Sequence, residues 1–216
     1  MNIILLGAPG AGKGTQANNI VNLHKLYKIS TGDLLRVEIK NKTSLGIEIE
    51  SILQKGSFVS DDIINNLIAK ILSNKNFNNR LLFDGYPRNI NQAKTLDLLL
   101  KKYNLKLSCA LVLNVDKESI VKRILGRQIC TNCGLIFNNY FNSPNNKNHQ
   151  CHPKFLDKRS DDTEETISKR FETYLEKTLP MLDFYNDQDL LHQINGLNKI
   201  DDIFDEIRDI IASLEA

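Results

Sequence analysis

The segment that most constrains this chain is Gly7-Ala8-Pro9-Gly10-Ala11-Gly12-Lys13-Gly14-Thr15, which follows directly on the apolar run Ile3-Ile4-Leu5-Leu6. A short, continuously apolar run bounded by turn residues predicts a strand buried on both faces of a parallel sheet. Beyond the loop, Gln16, Ile20, Val21 and Leu23 fall at helical spacing. Strand, glycine-rich turn and helix in that order build an anion nest. Glycines let successive N–H groups turn inward, and the helix N-terminus adds its partial positive charge. Lys13 can then place a mobile charge on terminal phosphates. The usual phosphate-loop pattern carries Ser or Thr directly after the lysine as a magnesium ligand. Here Gly14 fills that slot and Thr15 follows, which argues against an ordinary GTPase or motor ATPase.

Similar apolar runs recur at 81–83, at 110–115 and, more weakly, at 191–194. Helical periodicity fills the intervals: Ile63, Ile64, Leu67, Ile68 and Ile71 share a face, as do Leu96, Leu99 and Leu100. The last helix places Ile203, Phe204, Ile207, Ile210, Ile211 and Leu214 together. Strands alternating with helices predict an α/β fold whose parallel sheet is covered on both faces. Two stretches break the rhythm. Residues 30–59 hold helical patches without a strong strand, and 126–162 are polar and Asn-rich with paired cysteines. Both read as insertions on the core.

Lys plus Arg number 28 against 26 Asp plus Glu, a net charge of +2, which gives no global footprint for nucleic acid or an anionic membrane. The amino-terminal residues lack a basic n-region, and no segment approaches the ~20 apolar residues that span a bilayer. The expectation is a cytoplasmic protein whose four cysteines are reduced thiols or metal ligands.

Arginine is used selectively. Arg36, Arg88, Arg123, Arg127, Arg159 and Arg170 each fall in a distinctive segment, whereas Arg80 and Arg208 read as plain surface residues. A planar guanidinium recognises phosphate with two parallel hydrogen bonds, so such a set beside a phosphate loop points to anion handling. Arg123 and Arg127 lie four apart and are expected on one helix face. Asp84 ends an apolar strand at the carboxyl edge of the sheet, where open α/β folds bind ligands, and can organise the hydration shell of a nucleotide-bound magnesium.

Taken in order, Gly7 to Thr15, Ser30-Thr31-Gly32-Asp33-Leu34-Leu35-Arg36, Asp84-Gly85-Tyr86-Pro87-Arg88, Gln92, Arg123 with Gly126-Arg127, and Arg159 to Asp162 followed by Arg170 resemble the adenylate kinase family of the long-lid bacterial type. The resemblance implies a three-layer phosphate-loop fold with a central parallel five-stranded sheet and two mobile insertions. It divides the chain into a core (1–29, 60–125 and 163–216), an AMP-binding insertion (30–59) and a lid (126–162). It implies an ATP site at Gly10, Ala11, Gly12, Lys13, Gly14, Thr15, Arg127, Ile136, Phe137 and Leu197. It implies an AMP site at Thr31, Arg36, Ser57, Phe58, Val59, Gly85, Tyr86, Pro87, Arg88, Gln92, Arg159 and Arg170. Lys13, Arg88, Arg123, Arg159 and Arg170 would carry catalysis.

The reaction implied moves the γ-phosphoryl of Mg-ATP to AMP, giving two ADP, and the expected partners are ATP, AMP, ADP and Mg²⁺. A monomer is expected. The family also implies a structural zinc in the lid. Cys130, Cys133 and Cys151 are its candidate ligands, but the expected fourth position is Lys154, which leaves His152, Asp157 or His149. Two alternatives remain at this stage: a kinase for another nucleoside monophosphate such as UMP or CMP, whose lid is usually short, and a non-catalytic nucleotide-binding zinc-knuckle module.

Overall fold

The computed structural model describes residues 1–54, 59–74, 79–145, 149–159 and 162–215. Five parallel strands form the central sheet: β1 (Asn2–Gly7), β2 (Tyr27–Ser30), β3 (Leu81–Asp84), β4 (Cys109–Asn114) and β8 (Leu191–Asn195), in the order β2-β3-β1-β4-β8. β1 sits at the centre, with Ile4 opposite Phe83 on one side and Ala110 on the other. Its unbroken apolar run follows from covered faces. Ile4 and Leu6 point to one layer of helices and Ile3 and Leu5 to the other, and all four are at most 2% exposed. Each such side chain contributes about 1.5–3 kcal/mol by leaving water.

On one face lie α1 (Lys13–His24) and α9 (Ile200–Glu215), which buries Ile203, Ile207 and Ile211. Leu214, expected on the same stripe, is 40% exposed. The other face carries α4 (Asp61–Leu72), α5 (Ile90–Lys102) and α8 (Met181–Asn186). α2 (Thr31–Lys40) and α3 (Ser44–Gln54) pack on each other and extend this second layer through Leu35 and Ile49.

The fifth strand, β2, matches none of the apolar runs in the sequence. It is an edge strand: Tyr27 is 48% exposed, Lys28 is half-buried, and only Ile29 and Ser30 are covered. An edge strand at a corner has no reason to be apolar throughout. Arg80, read from sequence as a surface residue, donates to the His24 carbonyl at the end of α1. It satisfies a carbonyl that the helix itself leaves without a donor.

The described residues between 127 and 157 include a second, three-stranded sheet. β5 (Arg127–Cys130) pairs antiparallel with β6 (Ile136–Asn138) and with β7 (Leu156–Asp157). α6 (Lys117–Leu125) leads into it and stops at Gly126, so Arg127 begins a strand. The single helix face expected for Arg123 and Arg127 is therefore not formed. A break at glycine, whose Cβ would meet the Tyr140 ring at 2.7 Å, separates them.

Candidate active site

A cleft of about 1250 Å³ opens at the carboxyl edge of the sheet, where β1, β2, β3 and β8 end. The loop between β1 and α1 forms its floor. Gly10 adopts φ 85°, and a Cβ there would come within 2.7 Å of Ile124, so the loop closes against α6 only with glycine in that place. Lys13 opens α1 and donates to the carbonyls of Gly7 and Ala8 at 2.8 and 2.9 Å. Burial lowers its pKa to about 8; Asp84 opposes the shift, and Arg88, Arg127 and Arg159 add to it. At Gly14 a Cβ would stand 3.2 Å from the end of the Ile136 side chain, across the cleft on β6.

The arginines converge here. Arg88 follows the turn after β3, and its Nε donates to the Gly85 carbonyl at 2.7 Å. Its pKa is brought down to about 10 by burial first and by Arg170 second, with Asp84 opposing. Arg123 reaches from α6 to the carbonyls of Ala11 (3.2 Å) and Gly196 (2.8 Å), joining the phosphate loop to the turn after β8. Arg127 Nε donates to Asp162 at 2.8 Å, in an ion pair whose carboxylate is 3% exposed. Arg36, paired with Asp33, and Arg159 also line the cleft.

Arg170 projects from α7 (Glu164–Thr173), which starts at a capping box between Thr163 and Thr166. A π-helical turn, Tyr174–Thr178, follows and keeps Tyr174 and Thr178 on the cleft side. Thr178 Oγ1 donates to the Arg88 carbonyl at 2.7 Å. Asp84 ends β3 level with Leu5 and Ser30 and faces the same space.

Nearly every other expected site residue lies on this wall: Gly10, Ala11, Gly12, Gly14, Thr15, Thr31, Val59, Gly85, Pro87, Gln92, Ile136, Phe137 and Leu197. The Thr31 hydroxyl donates to the Gly85 carbonyl at 2.8 Å. Tyr86 is the exception. It is fully buried, and its hydroxyl lies 2.7 Å from Asn65 Oδ1 and 3.3 Å from the Gln92 carbonyl, behind the wall. The turn delivers neighbouring residues to opposite sides, so Tyr86 packs while Arg88 faces the cleft. Ser57 and Phe58 lie outside the described residues. The sequence reading missed Phe141, which lines the cleft with the Arg123 guanidinium 5.7 Å from its ring centroid. No spacing rule connects these two residues; only the chain's path through β5 and β6 brings them together.

A second cluster occupies the tip of the insertion. One ligand atom from each of Cys130, Cys133, His149 and Cys151 lies within 4.8 Å of every other. His149 is 7% exposed, stacks edge-on against Phe137 at 4.8 Å, and its Nε2 has no hydrogen-bond partner among the described residues. Burial raises the Cys130 thiol pKa, but the Cys133 amide and the His149 imidazole, with the Asn132 amide, outweigh it and bring the group to about 6. Three sulfurs and an imidazole match the donor set and spacing of tetrahedral zinc. His152 and Asp157, the other candidates for a fourth ligand, stand outside this cluster. His152 Nδ1 accepts from the Lys154 amide at 3.1 Å, and Asp157 Oδ1 accepts from the Lys158 amide at 2.8 Å, so each caps its own backbone.

A parallel α/β sheet with a phosphate-binding loop at its carboxyl edge, faced by clustered guanidinium groups, defines a nucleotide-binding protein of the phosphate-loop class. The sequence profile described as adenylate kinase matches residues 5–190. The chain is 44% identical to the adenylate kinase of Pelagibacter ubique over 98% of its own length and 99% of that protein. It is 42% identical to that of Fusobacterium nucleatum over 98% of each, and 38% identical to that of Enterococcus faecalis over 98% and 99%. The chain belongs to the adenylate kinase family.

Proposed function

We propose that the protein transfers the γ-phosphoryl group of Mg-ATP to AMP, reversibly, giving two ADP. The observation that carries this reading is the convergence of Lys13 and the guanidinium groups of Arg36, Arg88, Arg123, Arg127, Arg159 and Arg170 on one cleft. A single nucleotide does not call for seven cations; two phosphate chains meeting end to end do.

The attacking oxygen belongs to a phosphate monoester whose second pKa is about 6, so it is already ionised at pH 7. No general base is required, and none of the four histidines lines the cleft. Catalysis then consists of alignment and charge neutralisation. In this reading the phosphate loop and Lys13 hold the donor's phosphates. Arg88, Arg36 and Thr31 hold the acceptor phosphate, while Arg123, Arg159 and Arg170 neutralise the group in transit. Asp84 would hold the hydration shell of Mg²⁺, whose charge would neutralise that developing on the donor phosphates. Residues 30–59 would be the acceptor-binding part and 126–162 the lid, both mobile, closing to exclude water as a competing acceptor.

Cys130, Cys133, His149 and Cys151 would hold a zinc ion that stabilises the lid fold and stands apart from the reacting groups. These thiols suit the reducing cytoplasm, where a monomeric enzyme of this kind would work. No helix among the described residues is long and apolar enough to cross a membrane.

A coupled assay with Mg-ATP and AMP, UMP, CMP or GMP as acceptor tests the reading. AMP should give the highest kcat/KM. Preference for a pyrimidine acceptor would make the protein a UMP/CMP-type kinase, and absence of ADP production would remove catalysis altogether.

A further inference from the structure

Gln92 is 2% exposed, yet it lines the cleft. Its two polar atoms are already engaged on one side by partners of opposite kind. The Arg88 amide, which can only donate, points at Oε1 at 2.8 Å. The Asp61 carboxylate, which can only accept when ionised, receives Nε2 at 2.6 Å. Asn89 completes the lock: its Oδ1 accepts from the Gln92 amide at 2.9 Å, which turns its Nδ2 toward both Asp61 oxygens at 3.0 and 3.1 Å. The side-chain amide of Gln92 therefore has one orientation, with one lone pair of Oε1 and one hydrogen of Nε2 left over.

We propose that Asp61, which does not itself line the cleft, is a positioning residue that sets the acceptor-base preference through Gln92. This rests on the reading above, in which Gln92 faces the base of the acceptor nucleotide. The leftover acceptor and donor match an exocyclic amine beside an unprotonated ring nitrogen, the pattern adenine presents. A 6-oxo purine presents the reverse, a carbonyl beside N1–H, and would demand a flipped amide. Flipping sets Nε2 against the Arg88 N–H and Oε1 against the Asp61 carboxylate, two like-with-like contacts. Cytosine shares adenine's pattern, so this lock separates amino from oxo bases and leaves purine against pyrimidine to the width of the cleft.

The test compares AMP with IMP, a nucleotide of equal size that differs in this pattern alone. In the wild type kcat/KM should favour AMP strongly. Asp61→Asn substitutes a donor for one acceptor, so a donor must face either Asn89 Nδ2 or Gln92 Nε2, and the orientation of Gln92 is left to the Arg88 N–H alone. The AMP-to-IMP ratio should fall about tenfold or more, the scale of a hydrogen bond to a charged group, mostly through the KM for AMP. The KM for ATP should hold. Asp61→Glu keeps an acceptor-only group and should retain most of the ratio; it carries the test should D61N fail to fold, and its collapse in folded protein would overturn the proposal. Equal losses for AMP and IMP in D61N would make Asp61 a structural capping residue and overturn it too. Absence of an AMP preference in the wild type would defeat the assignment of Gln92 to the base, and this inference with it.

Discussion

Nucleotide binding at pH 8.5 should draw protons from solution, with Lys13 as their destination. The ammonium group stands on the cleft floor, where burial brings its pKa to about 8, Asp84 opposes the shift, and Arg88, Arg127 and Arg159 deepen it. At pH 8.5 about three-quarters of the free protein then carries a neutral lysine, against about a tenth at pH 7. Phosphate oxygens beside Nζ favour the charged form and return the pKa to its ordinary range or above. The bound state holds the additional proton, so binding takes protons up, and affinity falls as pH rises through 8, steepening toward about tenfold per pH unit. The nucleotide's own terminal phosphate has a pKa of about 6 to 7 and contributes little at pH 8.5. Calorimetric titration with Mg-ATP in two buffers of different ionisation enthalpy separates proton transfer from intrinsic heat. Uptake of about 0.7 proton at pH 8.5 is expected, vanishing in Lys13→Met. Uptake near zero in the wild type at pH 8.5, or unchanged uptake in K13M, would refute the placement of a depressed lysine at the phosphates.

Arg88→Ala should lower kcat/KM for AMP by about a thousandfold or more while thermal unfolding stays near wild type, and near-normal turnover would contradict its placement on the phosphates. Protein purified without chelator should contain close to one zinc per chain by elemental analysis. His149→Ala should lose the metal and His152→Ala keep it, whereas a stoichiometry near zero in the wild type would remove zinc from the account. Tyr185 is fully buried and its hydroxyl has no partner among the described residues, so Tyr185→Phe should raise stability by about 1 kcal/mol in denaturant unfolding; a loss would mean the hydroxyl is satisfied.

Much of this could be read along the chain, for identifiable reasons. The strand of Ile3 to Leu6, the glycine loop and the helix behind it are local features, each set by neighbouring residues through steric limits and burial. The three cysteines of the lid are likewise a spacing pattern. What escaped the sequence was decided by contacts between distant segments. β2 went unrecognised because an edge strand exposing Tyr27 lacks the apolar run that marks a central one. Arg127 lies on a strand because α6 stops at Gly126, a boundary that helical spacing alone overlooks.

Residue types and order, with the family resemblance they carry, determined on their own the phosphate-loop class, the family, and which arginines and thiols are the candidates for phosphate and metal. Only the tertiary structure decided which side chains turn toward the cleft. It packed Tyr86 behind the wall, set Phe141 beside Arg123, brought His149 to the three cysteines, and locked Gln92 with Asp61. The physical reason is that direction belongs to the assembled backbone: a residue's chemistry travels with its letter, but the neighbour it faces exists only once strands and helices from distant parts of the chain have packed.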